Sequence, residues 1–145
     1  MANDTMKLLD ALATICAAMS YADGDVDPAE IAAFHLVARD LGAKPMAAST
    51  MIGDAIARVS APGANPEDMI AAACRGLSRA NRPALFEAAT HVLVADGELT
   101  DAECLRLGAL ASFLEIPASA VIASVASVVH GNPELDIDVT DAVAR

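Results

Sequence analysis

Apolar residues recur along this chain at three- and four-residue spacing, with Pro or Gly between the runs, a pattern that predicts helices joined by short turns. The first run, Asp4 to about Asp23, carries Leu8, Leu9, Leu12, Ile15, Cys16 and Met19 on one stripe and closes at Gly24. The second, Pro28 to Leu41, carries Ile31, Phe34, Val37, Ala38 and Leu41 before Gly42. The third, Met46 to Val59, carries Met51, Ile52, Ala55 and Ile56 and runs into the loop SAPGANP. A fourth, Glu67 to about Ala80, shows Met69, Ile70, Ala73, Cys74 and Leu77, and Asn81 and Pro83 restart the chain after it. The fifth, sixth and seventh cover roughly 83–96, 101–114 and 118–130, through Leu85, Phe86, Ala89, Val92 and Leu93, then Cys104, Leu107, Leu110 and Leu114, then Val121, Ile122, Val125 and Val129. Past Gly131-Asn132-Pro133 the stretch ELDIDVTDAVAR is acidic and alternating, without a helical face. Residues 1–133 therefore read as one helical domain and residues 134–145 as an acidic tail, mobile or loosely docked.

The chain repeats itself. YADGDVDPAE at 21–30 has a near-copy, VADGELTDAE, at 94–103, an offset of 73 residues. At the same offset Met19 corresponds to Val92, Ile31 to Cys104, Val37 to Leu110 and Leu41 to Leu114; with one residue of gap, Pro45 corresponds to Pro117. The expected fold is all-α: a compact bundle of about seven helices, built from two pseudo-symmetric three-helix repeats with the fourth helix linking them. Two units are too few for a solenoid, so they are expected to pack face to face about an approximate two-fold axis.

The repeated turn divides into parts with different chemistry. Gly24 and Gly97 fall just past a helix, where a left-handed residue closes the last carbonyls, and positive φ is expected at both. Asp27, Pro28 and Glu30 make an N-cap, an N1 proline and an N3 glutamate; Thr100 with Glu103 is the Thr form of the same capping box. Asp23 and Asp96 are less easily explained, because a carboxylate on the last turn of a helix meets the negative end of the macrodipole. Two accounts stay open. Either these acids brace the turns by accepting bonds from the following amides, or Asp23, Asp25 and Glu30, with Asp96, Glu98 and Glu103, form two acidic corners that hold a hard divalent cation through oxygen ligands. An EF-hand is excluded by position: counting from Asp23, the sixth residue is Pro28 rather than Gly, and the twelfth is Phe34 rather than Glu.

Ala22-Asp23-Gly24-Asp25 with Glu30, repeated as Ala95-Asp96-Gly97-Glu98 with Glu103, each between an Ala-rich helix and a second amphipathic one, resembles the TerB-like family over roughly residues 5–130. That family includes the bacterial tellurite-resistance protein TerB and a cytoplasmic domain of a membrane-anchored J-domain co-chaperone. The resemblance implies a compact all-helical domain and a non-enzymatic role in a bacterial response to metal or oxyanion stress. It further implies cation binding at Asp23 and Glu30 and at Asp96 and Glu103, with Asp25 and Glu98 as neighbours. The first turn has Asp27 where the second has Thr100, so the two corners differ in charge.

Composition narrows the partners. Hydrophobic residues make up 55% of the 145 and aromatics only 3%, with no Trp, which suits closely approaching helices. The net charge of −11, from 20 acidic and 9 basic residues, repels nucleic-acid phosphates and anionic lipid and favours cations or a protein partner with a basic surface. Cys16, Cys74 and Cys104 form no CxxC pair and each sits in an apolar helical pattern; reduced, buried cysteines of this kind point to the cytoplasm. The first ten residues, MANDTMKLLD, do not read as a signal peptide, and no apolar run reaches the ~20 residues of a membrane span. His35, His91 and His130 are scattered and read as packed or capping residues. Nucleophile-elbow, phosphate-loop, HExxH and dinucleotide motifs do not occur, so no enzyme activity is expected. A protein-interaction adaptor without a metal site is the competing function.

Overall fold

The computed structural model describes residues 2–22, 28–95, 98–131 and 136–138. Seven helices account for most of them: α1 (Ala2–Ala22), α2 (Pro28–Asp40), α3 (Pro45–Ser60), α4 (Pro66–Arg75), α5 (Arg82–Leu93), α6 (Asp101–Leu114) and α7 (Ala118–Gly131). The fold is all-α, as the periodicity predicts. Proline sets several of the starts, since its fixed φ suits the first turn and its missing N–H needs no partner there: Pro28, Pro45 and Pro66 each open a helix. At α4 the cap is complete, with the Asn65 side chain accepting from the amides of Glu67 at 3.0 Å and Asp68 at 3.3 Å. Two helices are shorter than their apolar pattern suggests. α4 stops at Arg75 rather than near Ala80 because Gly76 ends it, although Leu77 beyond the helix is still buried. α5 stops at Leu93 rather than near residue 96, with Val94 as its cap.

The core is organised around α1. Leu8, Leu9, Leu12, Ile15, Cys16 and Met19 are buried as expected, but so are Ala11, Ala13, Ala17 and Ala18 on the other sides. From Ala11 to Met19 α1 is thus enclosed all round rather than along one stripe, while Asp4, Met6, Lys7 and Asp10 before it are exposed, and the helix packs on α3, α4, α5 and α2. Small alanines let four helices approach one axis, and a helix apolar on every side is stable only when so enclosed. A polar tie fixes α3 to it: Arg58 donates to the Thr14 hydroxyl at 3.2 Å, and Thr14 donates to the Asp10 carbonyl at 3.0 Å.

The ends of α2 and α6 carry the sequence repeat into the backbone. At the first, the Gly42 amide donates to the Arg39 carbonyl and the Ala43 amide to the Ala38 carbonyl, both at 2.9 Å. At the second, Glu115 donates to Ser112 at 3.1 Å and Ile116 to Ala111 at 3.3 Å. Every one of these four pairs is 73 residues from its counterpart, and both form the Schellman closure with a left-handed residue, Gly42 at φ 93° and Glu115 at φ 56°. The pairs α1/α3 and α5/α7 also correspond, and the counterparts α1 and α5 touch. Other contacts do not follow the repeat. α4 lies against α1 and α6; α2 packs along α3, whereas α6 and α7 make little contact with each other. Leu41 is 40% exposed where its counterpart Leu114 is fully buried.

Two three-residue strands, β1 (Glu98–Thr100) and β2 (Asp136–Asp138), were not expected. They pair in parallel, Glu98 with Asp136, Leu99 with Ile137 and Thr100 with Asp138. Part of the segment read as a loosely docked tail is therefore hydrogen-bonded to the turn before α6.

Candidate functional site

The two acidic corners are positioned by helix ends. The first lies between the end of α1 at Ala22 and the start of α2 at Pro28; Asp23, Gly24, Asp25 and Asp27 lie outside the described residues. The second lies between α5 and α6, where Asp96 and Gly97 likewise fall outside them, so the positive φ expected at Gly24 and Gly97 belongs to residues outside the described ones. The backbone puts Glu98 at the start of β1, Thr100 immediately before α6, and Glu103 in the first turn of α6. That is the N-cap and N3 spacing the sequence anticipates. The β1–β2 register then sets Asp136 beside Glu98 and Asp138 beside Thr100. Four acidic positions, Glu98, Glu103, Asp136 and Asp138, are so gathered by the backbone at the second corner. Asp136 and Asp138 escape sequence reasoning because their pairing spans the whole of α6 and α7; the alternation in Asp-Ile-Asp is a strand signal, but too short to read alone.

Glu30 is the one candidate acid whose side chain is described. It is half-buried in the first turn of α2; burial, and after it the negative charge of Glu30, hold the Cys16 thiol far above its ordinary value. A buried, protonated thiol is a poor nucleophile and a poor metal ligand. Burial also pushes Cys74 up to about 11, with the Arg82 guanidinium offsetting part of the effect. None of the three cysteines is in a disulfide; Cys16 and Cys74 are buried and Cys104 is half-buried.

Arg82 ties the second half together. From the first residue of α5 its Nη1 donates to the Leu114 carbonyl at 3.3 Å and to Glu115 Oε2 at 3.4 Å. α6 has no basic residue in its own last turn, so a cation from another helix complements its negative end. The histidines have structural settings: His35 meets the Phe34 ring edge-on at 6.0 Å, and His91 and His130 are exposed in the last turns of α5 and α7. Among the described residues no group of three or more His, Cys, Asp or Glu is arranged to hold a metal ion. No helix among them is long and apolar enough to cross a membrane.

A family model for tellurite resistance protein TerB matches residues 9–126, from the first turns of α1 into α7. The chain belongs to the TerB family. No curated protein and no solved structure matches it. The TerB match spans both acidic turns, all of α2 to α6, and the helices that frame them, so the repeated motif lies inside the family domain. It ends before β2, leaving Asp136 and Asp138 as additions to the second corner from beyond the matched region.

Proposed function

We propose that this TerB-family domain is a non-enzymatic cytoplasmic module of a bacterial tellurite or metal stress response, binding a divalent cation at its acidic corners. The ligands are Asp23, Asp25 and Glu30 at the first and Asp96, Glu98 and Glu103 at the second. The observation that carries this reading is the β1–β2 register, which adds Asp136 and Asp138 to the second corner. Like charges at directly paired positions of a ladder are unfavourable, and in a chain of net charge −11 a bound cation relieves the repulsion. The donor set is all carboxylate, which suits Ca²⁺ or Mg²⁺ rather than the softer metals that select thiolate or imidazole.

Thermal melting with and without each ion tests it. Each specific site raises stability by about 2.7 kcal/mol at a hundredfold excess over Kd, and Asp96→Asn should remove the second corner's share of that gain while leaving the metal-free protein as stable or more so. Asp54→Asn, on the exposed face of α3, is the charge-matched control. Equal loss of the cation response in both variants sinks the proposal. The second reading, an adaptor for a protein partner with a basic surface, is favoured by the net charge alone and gives no ion-specific stabilisation.

A further inference from the structure

We infer that β2 is a charge-gated clasp: it ties the chain beyond α7 to the turn before α6 when the acids along the two strands are screened or neutralised, and it lets go when they repel freely. Both strands hang from one pair of packed helices. β1 follows α5, β2 follows α7 after the four residues 132–135, and α5 packs on α7. The strands are therefore kept near each other whether paired or not, and opening asks for no rearrangement of the bundle. The pairing itself is small. Each strand has three residues and the pair is parallel; two strands alone are marginal in water even as a hairpin, and parallel pairing is slightly weaker per residue. A modest change in local free energy is enough to decide its state.

Charge supplies that change. Residues 94–103 contain Asp96, Glu98, Asp101 and Glu103, residues 132–144 contain Glu134, Asp136, Asp138 and Asp141, and neither stretch has a Lys, Arg or His. The register sets Glu98 directly against Asp136, and Asp138 against Thr100. Strand alternation puts these two pairs on one face and the pair Leu99–Ile137 on the other. The apolar pair and the ladder bonds favour closure, and like charges in direct opposition work against it. Paired strands run about 4.8 Å apart. The screening length is about 30 Å at about 0.01 M salt and about 8 Å at physiological ionic strength, and it falls below the strand spacing only towards about 1 M. Physiological monovalent salt thus leaves much of the repulsion in place, so the clasp stays responsive to any further positive charge. It couples the charge state of the second corner to the attachment of the chain after α7, and it does so with or without a specific cation site there.

Amide hydrogen exchange of the full chain, followed residue by residue by NMR at neutral pH in about 0.01 M and about 1 M NaCl, tests the clasp. The expected result is protection at residues 98–100 and 136–138 that rises about fivefold or more with salt, as a local opening equilibrium shifts. Glu98→Gln and Asp136→Asn should each give, in low salt, protection that the wild type reaches only in high salt. Asp54→Asn, on the exposed face of α3, should not. Ile137→Ser should abolish protection of both strands in high salt and leave that of the α1 core unchanged. MgCl2 and NaCl compared at equal ionic strength separate the clasp from the cation reading: an equal response removes the specific site and leaves the clasp standing. Strands unprotected in the wild type at about 1 M NaCl, charge variants no better protected than the wild type in low salt, or loss of core protection in Ile137→Ser would each overturn the proposal.

Discussion

Gly42 and Glu115 occupy the same place in the two halves, at left-handed φ of 93° and 56°. Gly accepts that conformation freely; an L-residue with a Cβ does so at a cost of roughly 1–2 kcal/mol. Gly42→Ala should therefore destabilise the protein by about 1 kcal/mol. Crowding is not the reason, since an added Cβ meets nothing within 4 Å. Glu115→Gly should do the reverse. It removes the strain and loses only an ion pair whose carboxylate is 71% exposed, worth roughly 0.2–1 kcal/mol, so a small net stabilisation remains. Urea midpoints of the dilute protein, at unchanged slope, measure both; opposite signs would refute the strain argument. Gly42 is readable in the sequence as a helix stop. Glu115 is not, because Glu carries no turn signal and only its offset from Gly42 marks it.

At the scale of elements, two further glycines sit where helices need none. Gly53 in α3 and Gly108 in α6 are exposed helix-interior positions, and a Cβ at either meets no atom within 4 Å. Alanine there should raise stability by about 1 kcal/mol each through helix propensity alone, read as a higher melting temperature; no gain at Gly53 would show that its backbone is not ordinary helix. The helix bounds were close to legible because Pro, Gly and apolar spacing act locally. The burial of each helix was not. α1 and α7 both read as single stripes, yet α1 is enclosed all round from Ala11 to Met19 and α7 is covered on one side, because burial depends on how many neighbours arrive. Ile122, an expected core residue, is exposed for that reason.

For the whole molecule, the buried thiols make stability fall in alkali. Cys16 and Cys74 lie at 5% and 0% exposure in a core centred on α1, and burial raises the pKa of both above the ordinary 9.0. A pKa raised on folding means that the unfolded chain gives up the proton first. The stabilisation is then complete below about pH 9 and declines as pH rises through about 11 for Cys74. Unfolding free energies from about pH 8 to about pH 10.5 should drop, and less steeply in Cys74→Ala, whose lower baseline reflects its cavity. The same slope in both proteins would remove the thiol from the account.

The helices, their approximate ends and the doubled acidic turn were determined by the sequence alone, since helical period, capping and proline placement are properties of neighbouring residues. The capping position of Thr100 follows from the same local rules. Tertiary structure decided what depends on residues far apart in the chain. It brought Asp136 and Asp138 to the second corner by pairing β2 with β1, and it set Arg82 against the end of α6. It also drew α6 towards α4 and left α7 half-covered. These outcomes turn on the competition among helices for a shared core, and a local pattern does not record which neighbour wins.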